Sequence, residues 1–445
     1  MEKSTKTPPP FQPIILGGDI GTYGLVRSFF EGWGVKSLVV TSMVLGPIQN
    51  SRLLKPVIVE GDDDSHEDFI GKLLEIGPLL KKKWPDTPLV LMANSDTNVV
   101  NIQNHADQLR EFYLFSFPSL ETIAETNDKA GFAKLAEKHG MNVPRTLEIN
   151  LDDGLDAVKK QVGEAFSQYP LIIKASRSYG YEQLHWPGKA KVYTAGDTSE
   201  AAEILQTLEE HTAGHPQARH FVVQPRIEGN DTFNLSLTAY VDGRGEVSFL
   251  GAAHVLLEDH HPTALGNPAA MITETYPELF RQAEAFLVGE NWRGFANFDV
   301  KVNRGTGEAF FFEVNPRIGR NLYYNTAAGN NPMFALVNDL LKGESTPIND
   351  NPDTVLYTVL PRSLLLAYTT GRVRAQVKEL WRGKHFHPLL APGEREWSLR
   401  YVKRRFYVWV STWNHWRKFL QNFPPKALAA IGRESFETTP LTDAR

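Results

Sequence analysis

Four short apolar runs, PIILGGD, KSLVVTS, KPVIVEG and PLVLMANSD, recur between Pro13 and about Leu120. Runs this short and this continuously apolar read as parallel strands covered on both faces. Between them lie stretches with helical spacing, such as GLVRSFFEGWG and EDFIGKLLEIGPLLKKKW. That alternation predicts a doubly wound α/β unit over residues 13–120, after a disordered lead-in over residues 1–12. The turn after the first run holds Gly17, Gly18, Gly21 and Gly24. A dinucleotide fingerprint needs G-x-G-x-x-G, and Asp19 stands where the second glycine belongs if Gly17 is the first. Two readings of the turn stay open, a nicotinamide site and a backbone nest for a small carboxylate, with Gly18 a substrate-binding candidate.

The pattern then changes. A chain of 445 residues is too long for one core, which suggests two to four domains. In TNDKAGFAKLAEKHGMNVP, Asn127 is the expected N-cap of a helix that Gly140 stops. YPLIIKAS reads as a strand carrying one lysine, Lys174, followed by a polar loop over Ser176–Tyr181. Asp197 and Glu200 frame a capping box. HFVVQPRIEGND reads as a strand, and FNLSLTAYVDGRGEVSFLGAAHVL as antiparallel hairpins turning at Asp242-Gly243. This ordering is α+β.

The stretch FANFDVKVNRGTGEAFFFEVNPR reads as a hairpin with a turn at NRGTG. That turn brings Asp299 and Glu313 side by side, and Asn315, two residues on, points to the same face as Glu313. Two carboxylates and an amide oxygen are hard ligands that suit Mg²⁺. The alternative is that Asp299 and Glu313 pair with Lys301 and Arg317 at a surface. Lys129 and Lys174 add two cations with the chemistry of phosphate binding. For Lys174 the alternative is a solvated position on an edge strand.

In order, NDK-helix-NVP, YPLIIKAS, VVQPRIEGND, NFDVK and FFEVNPR resemble the motifs of the ATP-grasp superfamily, over roughly Asn127 to Leu341. The resemblance implies a Rossmann-like pre-ATP-grasp domain at 13–120 and an ATP-grasp domain at 121–348 with a lid over about 145–226. A basic, aromatic C-terminal region follows at 349–445. It implies an ATP- and Mg²⁺-dependent ligase that joins a carboxylate to an amine through an acyl-phosphate. Lys129 and Lys174 would contact ATP phosphates, and Asp299, Glu313 and Asn315 would hold two Mg²⁺ ions, which Mn²⁺ can replace. Arg317, with Lys174, would act in catalysis. Gln224 to Ile227 would form the strand against adenine and Asp231 would face the ribose, although Gln224-Pro225 replaces the usual acidic residue. Within the superfamily, PIILGGDIGTYGLVRSFFEGWGVKS and EVNPRIGRNLYYNTAAGNNP resemble the D-aspartate ligase group of peptidoglycan cross-bridge synthesis. That group implies D-aspartate as donor and the lysine amine of a cell-wall pentapeptide precursor as acceptor. Arg320 and Asn321 are the substrate candidates; for Arg320 the alternatives are a helix cap or an acidic surface partner. Another amino-acid or dipeptide ligase, or a silent nucleotide-binding regulator, are the rival readings.

The remaining constraints are exclusions. A net charge of −5 argues against a surface devoted to nucleic acid, and with no cysteine there is no disulfide or thiolate chemistry. The opening MEKSTKTPPPFQP lacks an apolar signal core, and no window reaches the roughly 20 apolar residues of a membrane span. A cytoplasmic protein is expected. From Arg372 to Lys426 there are 13 Lys and Arg against 3 Asp and Glu, with five tryptophans. Phe406, Trp409, Trp413, Trp416 and Leu420 fall on one helical face flanked by Lys403, Arg404, Arg405, Arg417 and Lys418. Either this stripe packs on the rest of the chain, the preferred expectation, or residues 400–420 lie on the inner face of a membrane or receive an anionic precursor.

Overall fold

The computed structural model describes residues 10–60, 66–177, 180–261, 266–390 and 399–424. The lead-in up to residue 9, Ser178 and Tyr179 of the expected polar loop, and Trp397 lie outside the described residues. The chain divides into two compact units. One comprises Met1–Leu120, Asn230–Asn297 and Asn315–Arg445; the other comprises Glu121–Gly229 and Phe298–Val314.

The larger unit opens with a parallel sheet of β1 (Gln12–Leu16), β2 (Ser37–Thr41), β3 (Leu54–Ile58), β4 (Leu89–Ala93) and β5 (Tyr113–Leu114), in the order β3-β2-β1-β4-β5. The four apolar runs form the first four strands, and every residue of β1 and β4 is buried. Phe11 is buried too, and the first strand starts at Gln12. The helix Ile20–Trp33 follows β1 and ends where Gly34 takes φ +68°, the left-handed conformation that glycine adopts without strain.

In the smaller unit β6 (Leu147–Asn150), β7 (Leu171–Ala175), β8 (Val192–Ala195) and β9 (His220–Pro225) make an antiparallel sheet in the order β6-β9-β7-β8. Its apolar core joins Val158, Val162, Leu205 and Leu208 from two helices to Leu171, Ile173 and Phe221 from the strands. The capping box forms: Asp197 accepts from the Glu200 N–H, while the Glu200 carboxylate accepts from the Gly196 N–H. At the Lys129–Lys138 helix the N-cap is Asp128, not Asn127; its carboxylate takes the N–H groups of Ala130 and Gly131.

Returning to the larger unit, β10 (Asn234–Val241), β11 (Val247–Glu258) and β12 (Pro268–Glu274) are antiparallel neighbours, and the Asp242 turn joins β10 to β11. β13 (Gly294–Val302) starts in the larger unit and ends in the smaller one, where it turns at Asn303–Gly307 into β14 (Ala309–Asn315). β15 (Leu356–Thr358) extends the sheet from β12, and β16 (Phe386–Pro388) adds a parallel edge. Tyr240, Phe249 and Tyr324 share one core with Ile15, Phe29 and Val39. The long helix Leu399–Asn422 corrects an expectation in part: Phe406, Trp409, Trp413 and Leu420 of its aromatic stripe are exposed, while Trp416 is half-buried against the core of Leu364, Tyr368 and Phe419. The residues it buries are Arg404 and Phe419, with Phe423 just beyond its end.

Gly294 takes φ +79°, and a Cβ there would stand 2.3 Å from the Ser116 carbonyl oxygen. Gly34 takes φ +68° with nothing within 4 Å of such a Cβ. Gly34→Ala should therefore cost about 1 kcal/mol, the left-handed penalty alone. Gly294→Ala should cost more than that, because the strand must also shift. Urea unfolding of the two variants, compared with the parent chain, checks the order.

Candidate functional site

In the smaller unit the sheet places a lysine where burial opposes its charge. Lys174 sits on β7, opposite Val222 of β9 and Val192 of β8. It is thus on an internal strand, and the edge-strand alternative does not apply. Its Nζ lies 5.5 Å from the centroid of the Phe312 ring. Burial, and then the positive charge of Lys129, push the Lys174 ammonium down to about 8, with Glu313 opposing the shift. Lys129 opens its helix, and its Nζ donates to the Ser176 carbonyl at 3.5 Å. Burial lowers its pKa as well, against the pull of Glu313.

Glu313 stands on β14 and its carboxyl is in hydrogen-bond contact with that of Asp299 on β13. Burial favours its neutral form, but the Asp299 contact and the charges of Lys129, Lys174 and Lys191 hold its pKa below the ordinary carboxylate value. The β14 edge is pinned within this unit: Phe311 donates its N–H to the Asn142 carbonyl, and Asn142 Nδ2 donates to the Ala309 carbonyl at 2.8 Å. Asp128 braces the other side. It accepts from Ser176 Oγ at 2.8 Å and Arg177 Nε at 2.6 Å, which together with backbone N–H groups outweigh burial and keep it low.

The structure therefore brings together Lys129, Lys174, Asp299 and Glu313, all within one unit. Lys191 belongs to the same charge cluster and was missed in the sequence. Its signal is positional: it immediately precedes Val192, the β8 partner of Lys174. Two touching carboxyls require a shared proton or a cation between them, and the lysines around them exceed their charge. This donor set fits Mg²⁺ together with a polyphosphate. Among the described residues no group of three or more His, Asp and Glu converges. Gln224, buried on β9, spends its amide on Thr146 Oγ1 at 2.8 Å, and Ile227 is buried just beyond the strand end.

The other candidates lie in the larger unit. Arg317 is held by Asp96 (Nε to Oδ1, 3.0 Å) and donates from Nη2 to Asn315 Oδ1 at 3.1 Å. Asp96, also missed in the sequence, opens the helix after β4. Asn315 in turn donates to the Asn297 carbonyl. Gly319 fits there because a Cβ would come within 2.4 Å of Asn297 Oδ1. Arg320 Nε donates to Asp19 Oδ2 at 3.0 Å, and Asp19 caps the Ile20–Trp33 helix through the Thr22 N–H at 2.9 Å. The residue that spoils the dinucleotide fingerprint is thus a helix cap and an arginine partner. Gly18 is a close-approach glycine, where a Cβ would meet the Met43 carbonyl oxygen at 2.0 Å. Asn321 is buried and takes a long contact, 3.5 Å, from the Tyr357 hydroxyl. Asp231 accepts from the Glu258 N–H and from His260 Nε2 at 2.8 Å.

Comparison with known proteins gives three findings. The chain is 27% identical over 365 residues to a D-aspartate ligase of Enterococcus faecium (strain Aus0004), covering 80% of this chain and 84% of that one. A biotin carboxylase–β,γ-ATP complex from Campylobacter jejuni superposes with a TM-score of 0.56 at 14% identity, covering 77% of this chain and 73% of that one. N5-carboxyaminoimidazole synthetase of Staphylococcus aureus superposes at 0.53 with 12% identity, covering 80% and 84%. No family model matches the chain.

Two predictions follow from the larger unit's ion pairs. Asp19→Ala should lose about 1 kcal/mol of stability with the cap, whereas Asp19→Asn keeps a capping oxygen and loses only a part-exposed ion pair, about 0.5 kcal/mol. Thermal or denaturant unfolding of both variants separates cap from charge. For His260, burial lowers the pKa but the hydrogen bond and charge of Asp231 raise it above the ordinary histidine value. Its contribution to stability is complete below the unfolded-state pKa and disappears as pH rises through the higher folded value. Melting curves across pH 5 to 9 should show that loss, and His260→Gln should flatten it.

Proposed function

We propose, from the ATP-grasp fold that this chain has, that it is an ATP- and Mg²⁺-dependent ligase joining a carboxylate to an amine. The observation that carries the reading is the Asp299–Glu313 carboxyl pair set among Lys129, Lys174 and Lys191. A carboxylate resists attack by an amine because its leaving group is oxide, and phosphorylation supplies a better one. Such a reaction needs positioned charge more than acid–base side chains.

Each residue has a task in this reading. Lys129 and Lys174 hold phosphate oxygens, and their lowered pKa values reflect buried ammonium groups that an anion would compensate. Asp299, Glu313 and Asn315 are the proposed ligands of Mg²⁺, or of Mn²⁺ in its place. The metal, when bound, neutralises phosphate charge and fixes the phosphates for transfer. Arg317, oriented by Asp96 and Asn315, meets charge developing on the transferred phosphoryl group. The β9 end, Gln224 to Ile227, lies against adenine and Asp231 serves the ribose. Residues 13–120, 121–348 and 349–445 are the proposed functional regions, with the lid over about 145–226.

The proposed donor is D-aspartate and the proposed acceptor the lysine side-chain amine of a peptidoglycan precursor, in the cytoplasm. The support is the Enterococcus relative, whose likeness runs over 80% of the chain. Arg320, about one-third exposed and bound to Asp19 through Nε, is the proposed site for the α-carboxylate. Asn321 and the Gly18 turn complete that subsite. A guanidinium fork suits such a group, which would replace or join the Asp19 carboxylate.

ADP release, screened over D- and L-amino acids with candidate amines, tests the reading. Amine-dependent release with D-aspartate is the expected outcome; release with a different amino acid would move the specificity, and none with any pair would remove the ligase. Glu313→Gln should reduce turnover at least a hundredfold in a chain that still folds, as an unchanged circular-dichroism spectrum would show. Near-normal turnover in that variant would show that Glu313 is no metal ligand.

A further inference from the structure

The helix Leu399–Asn422 is attached by one side and bare on the other. On the attached side Arg404 Nη2 donates to the Tyr23 hydroxyl at 2.7 Å. Phe419 and Phe423 enter a core with Leu364 and Tyr368. Tyr407 lies so close over Gly46 that a Cβ there would stand 2.7 Å from its ring. On the opposite side Val402, Phe406, Trp409, Trp413 and Leu420 are between 53% and 65% exposed. At about 100° per residue, these five fall within roughly 40° of a single line along the helix. Met43 and Leu45, just ahead of Gly46 in the chain, are also exposed, at 63% and 40%.

Apolar surface of this size and order is unusual in water and marks a docking face. The charges around it identify the partner. Arg405 and Arg417 flank the stripe at about 60° on either side, with Lys403 beyond Arg417 at about 100°. The whole helix, LRYVKRRFYVWVSTWNHWRKFLQN, contains no Asp or Glu. Tryptophan and phenylalanine between basic borders suit the headgroup layer of a bilayer, where rings enter the acyl boundary and cations meet lipid phosphates. A second copy of the helix would set these like charges against one another. No helix among the described residues is long and apolar enough to cross a membrane, so a helix of this composition would lie in the plane. We propose that Leu399–Asn422 seats this protein on an anionic phospholipid surface through Phe406, Trp409 and Trp413.

Full-length protein is sedimented with vesicles of phosphatidylcholine alone and with about 30 mol % phosphatidylglycerol added, enough to give a negative surface potential. Binding to the anionic vesicles, weakened by high salt, is expected, with little binding to the neutral ones. Brominated acyl chains should quench tryptophan fluorescence in the bound state. A double variant, Trp409→Ala with Trp413→Ala, and a second, Arg405→Glu with Arg417→Glu, should each weaken binding at least roughly tenfold. Both should melt like the parent chain, since all four side chains are off the buried face. Failure to bind anionic vesicles would overturn the proposal. So would equal binding by either variant, or a concentration-dependent dimer in ultracentrifugation that Trp409→Ala with Trp413→Ala abolishes. The outcome does not depend on the catalytic reading, because no nucleotide or substrate enters the assay.

Discussion

A carboxylate on an apolar strand needs compensation, and Glu313 obtains it from two directions. Lys129 comes from a helix start and Lys174 from the middle of an antiparallel sheet, while Asp299 reaches it from the neighbouring strand. Each lysine is itself destabilised by burial, so the charges hold one another ionised. Removing one charge changes the cost of the others. The elements of the smaller unit place these few atoms: the β7 register sets Lys174, the Asp128 cap sets the start of the Lys129 helix, and the Asn142 segment pins β14.

The arginines after β14 follow a different logic. Arg317 and Arg320 each have a fixed acidic partner, Asp96 and Asp19, and both partners lie where a β-strand of the parallel sheet gives way to a helix. Both carboxylates lie near the positive end of a helix dipole, and Asp19 also accepts the Thr22 N–H. Two guanidinium groups are thereby oriented by residues some two to three hundred positions earlier in the chain. Orientation of this kind leaves part of each guanidinium to meet an anion.

Much of this was legible in the sequence, for physical reasons that also explain the gaps. The four parallel strands were readable because strands buried on both faces are continuously apolar. The Asp299–Glu313 contact was readable because a short turn and a two-residue period leave one register. β5 is only two residues long and has no period to detect. Asp128 replaced Asn127 as a cap because both are good caps and only the tertiary bonds to Ser176 and Arg177 choose between them. Asp96 gains its importance from Arg317, distant in sequence, and the position of Lys191 beside Val192 becomes a signal only once the pairing of β8 with β7 is known. Helical spacing showed that Leu399–Asn422 has an aromatic face but could not show its direction. An arginine, Arg404, is among the residues that the helix buries, and burial by way of a hydrogen bond to Tyr23 leaves no apolar trace.

Asp19 gives the first unit a character of its own. In an open glycine turn the N–H groups at the start of the following helix are a vacant seat for a phosphate. Here the chain fills that seat with its own side chain and then ties the occupant to Arg320. A dinucleotide would have to evict a tethered competitor whose local concentration never falls. The turn of that unit is closed by its own carboxylate, and what it offers instead is an anchor for an arginine.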